Sequence, residues 1–534
     1  MAIFELLLAI LLGATVLSLL AQRLHVPYPT LLAVGGAALA LLPGLPVIAI
    51  PPELILALFV APVLLNAAYE SSLRDLKRNW RPIVSLVLVA VVLTAAVVAL
   101  VSRAMIPGIP WAAGIALGAL LAPPDAIASL AVLKQVDPPH RIRTVLEGES
   151  LLNDASSLLI YRAAIAAVAT GGFSITHDLP LFPVVIAASA LAGWLAAYVV
   201  GFLLRHVKEV AALAILQFVT VFIIWLLAER LHLSAVVTIV TFGLTSARHP
   251  SWALRADHRV GTFAVWQALT FVFNVLAFTM IGLQLRTLLA NIDPSEFNQE
   301  ILAAAAILAA VILVRLAWVA GTWALQRLPG TPESSLNGKE AVVVGWSGMR
   351  GIVTLAAAMA IPADFPKRDF IQLTAFVVVV GTLLLQGLTL GLVVKLLKFP
   401  RDDLVADEVA RARSGALKAA LATLEGERGD AAERLRRDYK DSLSATRAGD
   451  DIFATRFSTL RRLSVKAGRA ELDRLRSEEI IGDDAYRTIE QELDWTDLSA
   501  GVDAAEIGAD AAASAPKQPP DRQASAERGN IPGV

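Results

Sequence analysis

Glu149-Ser150-Leu151-Leu152-Asn153-Asp154, followed by the mostly apolar run 155–168, places two carboxylates and an amide in a stretch otherwise suited to span a membrane. A carboxylate at the bilayer centre is penalised by about 2.5 to 3.5 kcal/mol on insertion scales, so an intramembrane acid indicates a functional site. In a helix, Ser150 and Asp154 share one face, whereas Glu149 points roughly 140° away from Asp154. The pattern therefore predicts different roles for the two acids.

The composition indicates a polytopic membrane protein. The 534 residues are 56% hydrophobic, with a mean hydropathy of +0.64, and one apolar segment follows another as far as about residue 400. The absence of cysteine excludes disulfides, cysteine-ligated zinc, iron–sulfur clusters and thiol chemistry. The first segment, Met1 to Ala21, carries Glu5 where a secretory signal would carry a basic residue, so we expect a retained first span.

Apolar windows of about 20 residues predict thirteen membrane spans. Lys and Arg collect in cytoplasmic loops, and one alternate set of the predicted loops holds 18 of these residues whereas the other set holds 5. This asymmetry predicts an external amino terminus and a cytoplasmic carboxyl-terminal tail. The windows lie near 4–22, 29–47, 52–69, 82–105, 111–133, 142–170, 181–204, 209–228, 232–246, 262–288, 300–326, 338–361 and 369–397.

Two of these spans contain sequences that interrupt a helix. In the fifth, Pro123 and Pro124 precede Asp125, and two consecutive prolines prevent a regular helix from continuing. In the twelfth, three glycines surround Arg350 in the stretch 345–351. Paired interruptions in corresponding positions are typical of transporter sites, because irregular backbone at membrane depth is tolerated only inside protein or beside water. The offset of seven spans predicts two inverted repeats, with the seventh span as a connector.

The chain beyond residue 400 has a different composition. Charged residues and alanines alternate with helical apolar spacing in 404–424, 431–443, 453–475 and 485–493, which predicts soluble helices over 401–498. The interleaved charges are typical of a solvated surface rather than a nucleic-acid site. Residues 499–534 are rich in Ala, Asp, Gly and Pro, and this composition predicts disorder.

The hexapeptide 149–154 resembles the Glu-Ser-x-x-Asn-Asp signature of the monovalent cation/proton antiporter family, the sodium/proton exchangers, and the resemblance extends over residues 1 to about 400. It implies an all-α membrane protein in which Asp154 holds the cation and the proton in turn. Ser150 would offer a hydroxyl oxygen to the cation. Asn153 occupies the position whose neutral amide accompanies electroneutral exchange. No cofactor is implied besides the transported Na⁺ or K⁺ and H⁺.

Further positions follow the family's pattern or depart from it. Gly348-Met349-Arg350-Gly351 is similar to the family's arginine motif on a broken helix, which implies a structural ion pair between Glu149 and Arg350. Asp125 matches the acid of a Thr-Asp-Pro-Val-Ala pattern, but Pro124 replaces its Thr and Ala126 its Pro. Asn66 stands in the third span where many relatives carry an acid, and it would supply an uncharged oxygen.

Together these residues predict a cation site made of oxygen atoms, which are the ligands that hard cations prefer. Asp154, Ser150, Asp125 and Asn66 would supply them, and a proton would compete with the cation for Asp154. The resemblance also implies a homodimer in the inner membrane of a bacterium, and it implies transport rather than enzymatic catalysis. We expect membrane lipid and monovalent cations as partners, and no nucleic acid.

Other interpretations remain open on sequence grounds. Asp154 and Ser150 could hydrogen-bond between helices, Asp125 could cap the second half of its broken helix, and Asn66 could be a packing residue. Glu147 and Lys134 could form an ion-attracting rim at the cytoplasmic entrance or could be solvated charges. The protein could also be a cation channel or a sensor that signals through its tail.

An intramembrane serine protease is a more remote alternative. Gly345-Trp346-Ser347-Gly348 fits a Gly-x-Ser-Gly pattern, but the last histidine of the chain is His258. No histidine base therefore follows Ser347 in the expected order.

Overall fold

The computed structural model describes residues 2–24, 26–42, 52–136, 138–170, 181–248, 256–291, 295–325, 336–400, 402–448, 456–478, 480–481 and 483–499. Over these residues the secondary structure is helical and contains no strand. The chain divides into two compact units, Met1–Asp402 and Asp403–Val534, and this division lies close to the boundary predicted at residue 400.

The first unit contains the apolar helices. Two of them include π-helical stretches, Leu56–Val60 in the third helix and Ser85–Ala90 in the fifth. The helices are α1 (Ala2–Leu24), α2 (Tyr28–Ala40), α3 (Pro52–Ile55 continued through Leu56–Val60 and Ala61–Glu70), α4 (Leu73–Arg78), α5 (Trp80–Met105), α6 (Trp111–Leu121), α7 (Ala126–Leu133), α8 (His140–Thr170), α9 (Leu181–Leu204), α10 (Val210–Arg230), α11 (Ala235–Ser246), α12 (Ala256–Leu283), α13 (Leu285–Asn291), α14 (Phe297–Leu325), α15 (Gly338–Trp346), α16 (Ile352–Met359) and α17 (Arg368–Leu397).

Among the described residues, eight helical segments are long and apolar enough to cross a membrane, and four further apolar helices are shorter. The interrupted segment Trp111–Leu133 counts as one of the eight. The prediction of an all-α polytopic protein is confirmed, whereas the count of thirteen spans stays a prediction.

Two buried apolar clusters hold this unit together. One contains Leu117 and Leu121 of α6 together with Tyr161 of α8 and Phe370 of α17. The other contains Ala128 of α7. Because α6 contributes to one cluster and α7 to the other, the interruption between them lies where the two clusters adjoin. The polar backbone of the break is therefore enclosed by protein, as membrane-depth irregularity requires.

The second unit contains four helices: α18 (Leu404–Thr423), α19 (Asp430–Ala448), α20 (Arg456–Ser477) and α21 (Asp483–Ser499). Each of these helices overlaps one of the four ranges in which apolar spacing predicts a helix. This unit carries exposed ion pairs, for example Arg474 with Glu471 and Glu478. The predicted disordered segment 499–534 lies outside the described residues, apart from Ser499.

Candidate ion-binding site

Both predicted interruptions are confirmed. The first separates α6 from α7 at residues 122–125, and the second separates α15 from α16 at residues 347–351. Asp125 stands at the amino-terminal cap of α7, where its Oδ1 accepts a hydrogen bond of 2.9 Å from the backbone N–H of Ile127. The capping role weighed from the sequence is therefore present.

The two interruptions pack directly against each other. The backbone N–H of Asp125 donates to the carbonyl of Met349 at 2.6 Å, and Oγ of Ser129 donates to the carbonyl of Ser347 at 3.4 Å. These bonds satisfy the N–H of Asp125 and the carbonyls of Met349 and Ser347, backbone groups that a continuous helix would have satisfied internally. The broken helices thus satisfy part of each other's hydrogen-bonding requirement across the crossing.

Arg350 strengthens the same crossing. Its guanidinium is 1% exposed, and it donates to the carbonyls of Leu121 at 2.8 Å and Ala122 at 3.3 Å, as well as to the carbonyl of Gly348. Its backbone N–H donates to Oγ1 of Thr382 at 3.0 Å. The carbonyls of Leu121 and Ala122 end α6, where the helix dipole is negative, so the buried cation is stabilised by that helix end.

Asp154 and Ser150 lie together on a cavity, as their shared helix face predicts. The cavity has a volume of about 90 Å³. Asp125 from the first interruption and Asn274 from α12 also line it, together with Glu147 from the beginning of α8. Its lining side chains, taken among the described residues, include three carboxylates and no Lys or Arg.

The cavity suits a cation in size and in chemistry. One water molecule occupies about 30 Å³ in the liquid, so the volume accommodates a partly hydrated ion. Oδ2 of Asp125 is buried and has no hydrogen-bond partner among the described residues, so its charge is not satisfied by a neighbouring donor there. A hard monovalent cation is bound by oxygen atoms of this kind.

Asn153 is turned toward the backbone of the first interruption. It is fully buried, and its Nδ2 donates to the carbonyl of Pro124 at 3.3 Å. This carbonyl cannot be bonded within a regular helix because the prolines break the helix there. The amide of Asn153 therefore supports the backbone beside Asp125, and it is absent from the cavity's lining.

Asn66 lies on a different cavity from Asp154. On α3, Val63, Leu64 and Ala67 line the cavity of Asp154, whereas Asn66 lines a larger one of about 380 Å³. There its Nδ2 donates to Oε1 of Glu70 at 3.1 Å. The prediction that Asn66 joins the oxygen cluster is not supported by this geometry, because the helix presents its neighbouring face to Asp154.

The partner predicted for Glu149 is wrong. Glu149 is 1% exposed, and its carboxylate makes a double salt bridge with Arg315 of α14, with N–O distances of 2.5 and 2.8 Å. Arg315 also donates to the carbonyl of Val344. Arg350 instead donates to the carbonyls at the crossing, and the guanidinium that pairs with Glu149 is that of Arg315 on α14.

Sequence reasoning missed Arg315 and Asn274, although each carried a usable signal. Arg315 is a charged residue in the middle of the apolar helix α14, and such a charge requires a buried partner. Asn274 is a polar residue within the apolar run of α12. Both residues indicate from the sequence that a polar partner exists, but the sequence does not identify the partner residue.

A helical membrane protein in which two interrupted helices cross beside buried carboxylates has the construction of a secondary transporter. The sequence model described as "Sodium/hydrogen exchanger, transmembrane" matches residues 7–396. The chain therefore belongs to the sodium/hydrogen exchanger family, a family of membrane transporters.

Individual relatives agree with this assignment. An uncharacterized Na⁺/H⁺ exchanger of Mycobacterium tuberculosis is 30% identical, over 92% of this chain and 95% of its own length. A sodium, potassium, lithium and rubidium/H⁺ antiporter of Bacillus pumilus is 31% identical, over 85% of this chain and 72% of its own. The solved sodium proton antiporter MjNhaP1 of Methanocaldococcus jannaschii has a similar fold, with a TM-score of 0.56 at 19% identity, over 75% of this chain and 100% of that one.

Gly351→Ala tests how closely the two interruptions must approach. A Cβ at this position would lie 2.3 Å from Oδ2 and 2.6 Å from Cγ of Asp125, and the cap and the bond to Met349 hold Asp125 in place. We expect a destabilisation of about 1 to 3 kcal/mol, typical of overpacking, and a displaced Asp125. The melting temperature in detergent should fall, and the rate of Na⁺/H⁺ exchange in liposomes should decline.

Gly321→Ala is the matched control, because among the described residues no heavy atom outside its own helix backbone lies within 4 Å of a Cβ added at that position. We expect unchanged exchange and an unchanged or slightly higher melting temperature, since alanine favours a helix over glycine. Equal behaviour of the two variants would contradict the close contact.

Proposed function

We propose that the protein is a secondary antiporter that exchanges Na⁺ or K⁺ for H⁺ across the bacterial inner membrane, with the two ions competing for Asp154. The observation that carries the proposal is the cavity shared by Asp154, Ser150 and Asp125 beside the crossed interruptions. Its lining has several carboxylates and, within the described chain, no basic side chain to neutralise them. Such a cavity attracts either a cation or a proton.

Competition for one carboxylate accounts for coupling. A proton on Asp154 removes the negative charge that the cation needs, and a bound cation disfavours protonation. If the empty, charged carboxylate is disfavoured during the transition between the inward-open and outward-open conformations, that transition occurs only when a cation or a proton is bound. Each cycle then moves cations in one direction and protons in the opposite one, by alternating access around a fixed site.

The charges of the predicted loops support one orientation of the protein in the membrane. The excess of Lys and Arg in one alternate set of predicted loops supports an external amino terminus and a cytoplasmic helical tail. We further propose a homodimer, as implied by the sequence resemblance, and a role in pH and cation homeostasis.

Exchange in liposomes tests this function. Purified protein is reconstituted with an internal pH dye, and Na⁺, K⁺, Li⁺ or Rb⁺ is added outside over a range of pH. We expect proton movement driven by at least one of these ions, with an apparent KM for the cation that rises as the pH falls, at an unchanged maximal rate. The rise approaches about tenfold per pH unit, the limit for one proton competing at one site.

The same assay separates exchange from a channel. A channel would carry the cation down its gradient without obligatory movement of protons, and its flux would follow the membrane potential. Cation flux that persists without proton movement would contradict the proposal, and so would a KM that is independent of pH.

A further inference from the structure

Glu147 occupies a distinctive position on the cavity of Asp154. It precedes Ser150 by three residues and Asp154 by seven, so all three side chains lie on one face of α8. Its Cα lies about 10 Å from that of Asp154 along the helix axis at 1.5 Å per residue. Glu147 is half-buried, whereas Asp154 is 6% exposed. The cavity therefore has one carboxylate that is more accessible than the deep one.

The accessible carboxylate lies toward the end of α8 that we assign to the cytoplasm. That end begins at His140, and its basic residues are held by neighbouring acids: His140 Nε2 lies 3.3 Å from Oδ2 of Asp75, and Arg141 lies 3.6 Å from Glu340. The charged groups that act on Glu147 are Arg143, His140, Lys134 and Glu70. Of these, none lines the described part of the cavity. Glu147 thus lines the cavity, whereas these four charged groups do not.

We propose that Glu147 captures cations arriving from the cytoplasm and delivers them to Asp154. The inference rests on the proposed exchange function and adds a residue that governs cation access from one side. A carboxylate at the mouth of a low-dielectric cavity raises the local concentration of cations. Because Glu147 is half-buried, the ion keeps part of its hydration shell there, and it exchanges that shell for the oxygens of Ser150, Asp154 and Asp125 further in. Oδ2 of Asp125, which has no hydrogen-bond partner among the described residues, is an unsatisfied oxygen on the deeper side.

The test compares the KM for the cation at the two faces of the membrane. Everted membrane vesicles expose the cytoplasmic face, and right-side-out vesicles expose the opposite face. In Glu147→Gln, we expect the KM for Na⁺, or for the cation that wild type transports best, to rise at least about fivefold in everted vesicles at low ionic strength. The maximal rate should stay within about twofold, and the KM at the other face should not change. Screening with 0.5 M choline chloride should shrink the difference.

Three further variants make the result specific. Glu147→Asp retains the charge and should restore a KM close to that of wild type. Glu147→Ser removes the charge with a smaller side chain, and it provides the same test if the Gln variant does not fold. Glu296→Gln is the matched control, because Glu296 is an exposed carboxylate paired with Lys367 at 3.0 Å and is absent from the cavity.

The outcomes distinguish the inference from the function on which it rests. Wild-type protein without cation-coupled proton movement would overturn the exchange function itself. Wild-type exchange together with an unchanged KM in Glu147→Gln would overturn only the capture role. An equal rise at both faces would also overturn it, because that result would indicate a contribution to the deep site rather than to cytoplasmic access.

Discussion

Asp154→Asn should reduce cation-driven proton movement to the level of protein-free liposomes. The substitution preserves the shape of the side chain but removes the group that is proposed to bind either ion. Because an amide does not take up a proton near neutral pH and carries no charge for the cation, both halves of the exchange cycle are lost. The measurement is dye-reported pH change in liposomes after a pulse of each monovalent cation.

The interpretation depends on the variant being folded. Asp154→Asn should elute as wild type from size exclusion, and its melting temperature should be equal or higher, because a buried charge is replaced by a neutral group of equal size. Asp369→Asn makes the same chemical change at a carboxylate that is 53% exposed at the beginning of α17, and it should exchange normally. Sustained exchange by Asp154→Asn would contradict the competition mechanism.

Removing either partner of the Glu149–Arg315 salt bridge should destabilise the protein by roughly 3 to 5 kcal/mol. Both side chains are almost inaccessible, at 1% and 3% exposure, so each single substitution leaves an uncompensated buried charge. Glu149→Leu and Arg315→Leu should therefore melt well below wild type. The measurement is thermal unfolding in detergent, followed by intrinsic fluorescence.

The double variant identifies the pair. Glu149→Leu combined with Arg315→Leu should lose much less stability than the sum of the single losses, because neither charge is left alone. The combination of Glu149→Leu with Arg350→Leu should show a smaller coupling, since Arg350 donates to carbonyls instead. Lys367→Gln breaks an exposed pair and should change stability by at most about 1 kcal/mol. A larger coupling of Glu149 with Arg350 would restore the pairing that the sequence resemblance implied.

Local signals in the sequence were sufficient to place the interruptions. Two prolines before Asp125 and three glycines around Arg350 act on the backbone directly, so their effect needs no knowledge of neighbouring helices. The spacing of Ser150 and Asp154 was equally decisive, because residues four positions apart on a helix lie on the same face. The separation of Glu149 from that face is also observed, since it bonds to Arg315 away from the cavity.

The errors concern contacts between helices. The sequence resemblance paired Glu149 with Arg350, but the packing of α14 and α8 against α15 brings Arg315 to Glu149 instead. The side-chain direction of Asn66 likewise depends on how its helix packs against its neighbours. Its position along α3 was sound, but the rotation of that helix directs Leu64 to the cavity of Asp154 and Asn66 to the neighbouring one. Such rotation depends on side chains distant in the chain.

The cross-links between the two interrupted segments constrain how the cavity is exposed to each side. Arg350 joins α15–α16 to the end of α6, and the hydrogen bond between Asp125 and Met349 joins the two irregular backbone segments. Unwinding either segment alone would leave several buried donors and acceptors without hydrogen-bond partners. We therefore expect the four half-helices to move together in any conformational change that exposes the cavity to one side or the other, with bending confined to the connections around them.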